Sequence, residues 1–133
     1  LGKIEHIGIA VKDMEKAREI YEDLLNEEAY KVENVEAEGV DTLFFKTGES
    51  KIELLSATRE DSPIAQFIAK KGEGMHHIAF DVVDIDAEIN RLEEKGYRLL
   101  NKTPKPGADN KIIAFLHPKS CNGVLVELCQ DKN

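Results

Sequence analysis

The sequence predicts an α+β fold of two tandem βαβββ modules. Three observations carry that prediction: a segment that recurs at a fixed offset, a helical apolar stripe after each copy, and strand-like runs after each helix. Self-similarity comes first, because a repeat decides the architecture. His6-Ile7-Gly8-Ile9-Ala10-Val11-Lys12-Asp13-Met14 returns as His77-Ile78-Ala79-Phe80-Asp81-Val82-Val83-Asp84-Ile85, an offset of 71 residues from 6 to 77 and again from 13 to 84. His, Ile, Val and Asp hold the same places in both copies.

The first helix starts at Asp13, a good N-cap, and carries Met14, Ala17, Ile20, Tyr21, Leu24 and Leu25 at helical spacing,. The second starts at Asp84 with Ile85, Ile89 and Leu92 on one stripe, and Gly96 stands where a C-terminal cap is expected,. Strand-like runs follow at about Ala29–Val35, Val40–Lys46 and Lys51–Ser56 in the first half,. In the second half they fall at about Arg98–Asn101, Ile112–His117 and Val124–Cys129. Ser62-Pro63 opens a linking helix, serine as cap and proline at the first helical position,. The stretch Thr103–Asn110, with Pro104, Pro106 and Gly107, reads as a surface loop able to cover a pocket,. The expected organisation is one domain over residues 1–133: module 1 about 1–60, linking helix about 62–71, module 2 about 75–130.

The 133 residues suit one domain, and 41% hydrophobic with 33% charged residues is ordinary for a globular chain,. Net charge is −8, from 18 basic and 26 acidic residues. No basic surplus exists to neutralise phosphates, which argues against nucleic acid as a partner. No apolar run spans a bilayer, and Lys3 and Glu5 interrupt any leader pattern,. The expectation is no membrane partner and a cytoplasmic location. Cys121 and Cys129 are too few for a disulfide scaffold, and their spacing fits no common zinc knuckle,.

Alternate residues of a strand face opposite sides. In the first repeat Ile7, Ile9 and Val11 share one face, and His6, Gly8 and Ala10 the other. In the second, Ile78, Phe80 and Val82 share one face, and His77, Ala79 and Asp81 the other. Each histidine therefore lies among small or polar residues, which leaves room for a ligand. Glutamates recur too: Glu53 among Ile52, Leu54 and Leu55, and Glu127 among Val124, Val126 and Leu128. They follow their histidines by 47 residues (6 to 53) and 50 residues (77 to 127). An unpaired carboxylate inside an apolar strand costs several kcal/mol, so each needs a cation. A lone strand histidine is ordinarily a hydrogen-bonded core residue, and a lone glutamate near a strand end is ordinarily solvated. Four such residues matched across a duplication point instead to a divalent metal site of two nitrogens and two oxygens. His76 has the opposite parity and faces away. His117, before Pro118, reads as a turn or outer-shell residue.

On these segments the chain resembles the vicinal oxygen chelate superfamily over essentially its whole length. Within it the sequence is most similar to the methylmalonyl-CoA epimerases. The resemblance rests on the His6–Val11 repeat, Asp61-Ser62-Pro63-Ile64-Ala65, Gly74-Met75-His76-His77-Ile78-Ala79-Phe80, His117-Pro118-Lys119-Ser120 and Gly123-Val124-Leu125-Val126-Glu127-Leu128. It implies a cupped mixed sheet around a metal site, with His6, His77 and Glu127 as ligands. The fourth ligand position, glutamine in some epimerases, falls on Glu53. A second glutamate, proposed as a base in some of them, falls near Thr42, so the resemblance does not place that base here.

The implied activity is a metal-dependent isomerase reaction. A proton is abstracted from the carbon alpha to the thioester of methylmalonyl-CoA, through an enolate whose charge a divalent ion offsets. Glu127 is the first candidate base and Glu53 the second. The implied cofactor is one divalent ion, Co²⁺, Mn²⁺, Ni²⁺ or Zn²⁺, since mixed N/O ligation suits all four. The implied partners are a CoA ester and a second copy in a homodimer. Lys119 and Lys111 are candidates to contact substrate anions, although exposed lysines are ordinarily just solvated. His/Glu/His/Glu is also the ligand set of glyoxalase I, a lyase acting on a hemithioacetal. His117-Pro118-Lys119-Ser120 replaces the Asp-Pro-Asp-Gly-type turn often found there and favours the epimerase. A ring-cleaving dioxygenase needs a coordination position that Glu53 would close. A non-catalytic drug-binding member generally lacks a full ligand set.

Overall fold

The computed structural model describes residues 1–132. The chain divides into two compact units: residues 6–76, and residue 77 onward together with Leu1–Glu5.

In the first unit, which β1 (Ile4–Ala10) enters at His6, the order is β1, α1 (Met14–Leu25), β2 (Lys31–Val35), β3 (Val40–Thr47), β4 (Ser50–Ala57) and α2 (Pro63–Lys71). The strands line up as β2-β3-β4-β1. β1 and β4 run parallel, and the other neighbours are antiparallel. The Asp13 side chain accepts from the Lys16 backbone N–H and caps α1. Ala17 packs with Val11, Leu43, Phe45 and Leu54, flanked by Met14, Tyr21 and Leu25. Two members of the expected stripe fall outside this core: Ile20 is 59% exposed and Leu24 69%. Successive helical residues turn by about 100°, so a buried line centred on Met14 and Tyr21 puts both on its solvent flank. The opposite sheet face carries Ala10, Val40 and Leu55, covered by Ile64 of α2. Ser62 caps that helix by accepting from the Ala65 backbone N–H. By strand alternation this is also the face of His6 and Glu53, so α2 covers part of the surface from which those side chains rise.

The second unit, which β5 (Gly74–Asp81) enters at His77, continues with α3 (Ile85–Glu94), β6 (Lys105–Gly107), β7 (Lys111–Leu116) and β8 (Val126–Asp131), its strands lined up as β5-β8-β7-β6. β5 and β8 are parallel, as β1 and β4 are. Asp84 caps α3 by accepting from the Ala87 backbone N–H. The backbone N–H of Ile85 donates to Gln130 Oε1 at 2.7 Å. Ile85, Ile89 and Leu92 pack on Val82, Ala114, Leu116 and Leu128. Gly2 N–H donates to the Asp81 carbonyl and Asp81 N–H to the Lys3 carbonyl, which ties the first residues to this unit.

One expected strand is displaced. Residues 98–101 form no strand beyond a single bridge, Leu99 to Leu116. The third strand is β6, inside the stretch read as loop. The Asn101 side chain explains the exchange. Its amide donates to the Thr103 and Ile113 carbonyls and accepts from the Phe115 N–H. A side chain thus occupies ladder positions that a strand backbone would fill. Asp109 and Asn110, both at φ +59°, then close a tight β6–β7 turn,. No helix among the described residues is long and apolar enough to cross a membrane.

Removing the α3 cap with Asp84→Ala should cost about 1 kcal/mol of stability, whereas Asp84→Ser should keep most of it. The midpoint of urea unfolding measures the difference.

Candidate functional site

The duplication is visible in the register of the ladders. Gly8 stands opposite Glu53 in the β1–β4 pair, and Ala79 opposite Glu127 in the β5–β8 pair. In each unit the residue two after the histidine faces the glutamate, and it is glycine or alanine. The absence of a bulky side chain there lets carboxylate and imidazole meet. His6 Nδ1 lies 3.1 Å from Glu53 Oε2, and His77 Nε2 lies 3.2 Å from Glu127 Oε1. All four residues are buried, none more than 6% exposed.

These separations suit a metal ion. Two donors about 2.1 Å from one ion and at right angles to each other stand about 3.0 Å apart. The atoms presented are imidazole nitrogens and carboxylate oxygens, the mixed set that first-row divalent ions accept. Each unit thus offers one nitrogen and one oxygen with spacing that fits such an ion.

Sequence reasoning did not find the aromatic residues beside these pairs. Phe44 stands opposite Glu53 on β3, and Phe115 opposite Glu127 on β7. The hairpin turn at Gly48 would have given the first of these. The Phe115 ring meets His77 edge-to-face at 6.1 Å and 87°. A lysine lies over each ring: Lys31 Nζ is 5.2 Å from the Phe44 centroid, and Lys105 Nζ 5.9 Å from that of Phe115.

The remaining candidates fall elsewhere. His76 packs edge-to-face on Phe67 of α2, in keeping with its opposite parity. His117 caps a short 3-10 turn, its Nδ1 accepting from the Lys119 N–H, and the Lys119 side chain is exposed. Lys111 is not a solvated lysine. It is buried, 3.7 Å from the equally buried Glu5, and paired with Asp131. Its ammonium is committed to the protein. Cys129 is fully buried on the Glu127 face. Burial first, and then the negative charges of Glu127 and Glu5, push its thiol far above the ordinary range,. It stays a neutral thiol and supplies no nucleophile. Thr42 is buried on the Glu53 face, opposite Leu55, and offers a hydroxyl there, not a carboxylate.

Residues 5–115 match the model of the Glyoxalase/Bleomycin resistance protein/Dioxygenase superfamily. The chain is 44% identical to the human mitochondrial methylmalonyl-CoA epimerase, over 98% of this chain and 74% of that protein. It is 43% identical to the ethylmalonyl-CoA/methylmalonyl-CoA epimerase of Cereibacter sphaeroides, over 98% of both. Among solved structures it matches a Streptomyces coelicolor methylmalonyl-CoA epimerase variant in complex with 2-nitronate-propionyl-CoA. That match has a TM-score of 0.92 at 40% identity and covers 98% of this chain and 95% of that one. With its duplicated His–Glu pairs, this chain belongs to the glyoxalase/bleomycin resistance protein/dioxygenase superfamily and, within it, to the methylmalonyl-CoA epimerase family.

Proposed function

We propose that this chain is an isomerase that epimerises methylmalonyl-CoA, with His6, Glu53, His77 and Glu127 holding one divalent ion. The observation that carries the reading is the buried imidazole–carboxylate pair repeated in the same strand register. The likeness to epimerases over nearly the whole chain supports the substrate. An ion of the Co²⁺, Mn²⁺, Ni²⁺ or Zn²⁺ type would supply Lewis acidity toward the substrate oxygens.

The substrate hydrogen sits between a carboxylate and a thioester, and it must leave one face of its carbon and return on the other. That calls for two proton-handling groups or one that moves. Glu127 is the proposed first base. Its carboxylate rises from β8, and Phe115 and Ala79 flank it and keep water away. Glu53 is its counterpart in the repeat and the proposed second base. His6 and His77 would hold the ion beside the two carboxylates, whose oxygens lie 3.1 and 3.2 Å from their ring nitrogens. A homodimer belongs to the same proposal through the family likeness, and light scattering tests it.

The deciding experiment offers methylmalonyl-CoA, ethylmalonyl-CoA and the methylglyoxal–glutathione adduct to metal-loaded protein. Epimerisation of a malonyl thioester without turnover of the adduct is expected, and turnover of the adduct alone would sink the reading. Glu127→Gln, with metal content verified, should lower deuterium exchange at the substrate carbon by about 10²–10⁴-fold. Retained exchange would reject Glu127 as the base. Glu53→Gln places here the residue that some epimerases carry, so inversion retained with metal bound would reject Glu53 as the second base, and washout of deuterium without change of configuration would support it. Chelation should abolish turnover and lower the unfolding temperature, and added divalent ion should restore both.

A further inference from the structure

The side chains beside Glu127 extend along the sheet from β8 through β7 to β6. Phe115 stands directly opposite Glu127, and Lys105 on β6 stands opposite Ile113 on β7. Ile113 and Phe115 are two residues apart and share a face, so Lys105 rises from the face that carries Glu127. Its ammonium lies over the Phe115 ring, and that ring leans on His77. Across the face the order is carboxylate, aromatic ring, ammonium. The backbones of β6 and β8 are two strand spacings apart, about 10 Å, so a few atoms of a ligand bridge the space between the two charged groups.

The strand that presents Lys105 is held firmly. A Cβ added at Gly107 would come within 2.8 Å of Ile113 Cγ2, so β6 lies close against β7. The Asn101 amide fixes the chain just before it. In the other unit the lysine over Phe44, Lys31, also lies 3.2 Å from Glu33. Lys31 stands directly opposite Phe44, whereas Lys105 pairs with Ile113, two residues before Phe115, so the two lysines reach their rings from different register positions.

We propose that Lys105 is a substrate-binding residue, taking an anionic oxygen group of the acyl thioester as it lies over the Phe115 ring. The inference rests on the epimerase reading above. The carboxylate of the acyl unit and the phosphates of CoA offer the same chemistry to an ammonium. The short span from Lys105 to Glu127 favours the carboxylate.

Lys105→Met keeps the aliphatic stem over the ring and removes the charge, and Lys105→Arg keeps the charge. Both are assayed as metal-loaded protein with methylmalonyl-CoA and with methylmalonyl-pantetheine, which carries no phosphate. The Met variant should raise KM roughly ten- to a hundredfold, with Arg restoring most of it. An equal rise for both thioesters assigns the carboxylate, and a rise for the CoA ester alone assigns a phosphate. An unchanged KM for both, or a loss confined to kcat, overturns the inference. If the wild-type chain turns over neither thioester, the epimerase reading fails by itself. Calorimetric binding of methylmalonyl-CoA then decides on Lys105, and an equal dissociation constant for the wild type and the Met variant overturns its role. Equal urea midpoints confirm that folding is untouched.

Discussion

Glu53 and Glu127 lie in strands whose neighbours are aliphatic, where an unpaired carboxylate costs several kcal/mol. That cost governs what surrounds them. Each meets an imidazole nitrogen at hydrogen-bond distance,. Each also has glycine or alanine on one side and phenylalanine on the other, so its immediate surroundings are largely apolar. Among the described residues no buried side-chain nitrogen or oxygen lacks a hydrogen-bond partner. The carboxylates are held in surroundings where a charge acts strongly because little water screens it.

The duplication makes this arrangement reproducible. A parallel pair joined through a helix and an antiparallel hairpin recurs in both units, with glutamate opposite the residue two past the histidine. Register is rigid in a sheet, because a slip of one residue would turn every side chain to the other face. The apolar sets under α1 and α3 fix that register. The chemistry on one face is therefore set by hydrophobic packing on the other.

Much of this was legible from residue order. The repeat, the caps Asp13, Ser62 and Asp84, and the parity of His6, His77, Glu53 and Glu127 follow from periodicity and cap chemistry, which are local. The misses share one cause. Ile20 and Leu24 have apolar side chains at helical spacing, but which flank meets the sheet is a matter of docking. Residues 98–101 have strand-like composition, yet the Asn101 side chain, bonded across to Ile113 and Phe115, moves the strand to Lys105–Gly107. Phe115, Lys105 and the buried Glu5–Lys111 pair become visible only once distant strands are in register.

The attachment of Gly2 and Lys3 to Asp81 bears on dissection of the polypeptide. A fragment starting at His77 would keep α3 and its aliphatic support but would lose the residues that hydrogen-bond to the end of β5. Its backbone donors and acceptors there would be left open, and an open strand margin invites pairing with another chain. The two halves of the duplication are alike in pattern yet not separable at the point where the pattern restarts, because Gly2 and Lys3, which precede the first copy, hydrogen-bond to the later one. A gene rearranged to open at residue 77 would have to carry Gly2 and Lys3 along with the segment they complete.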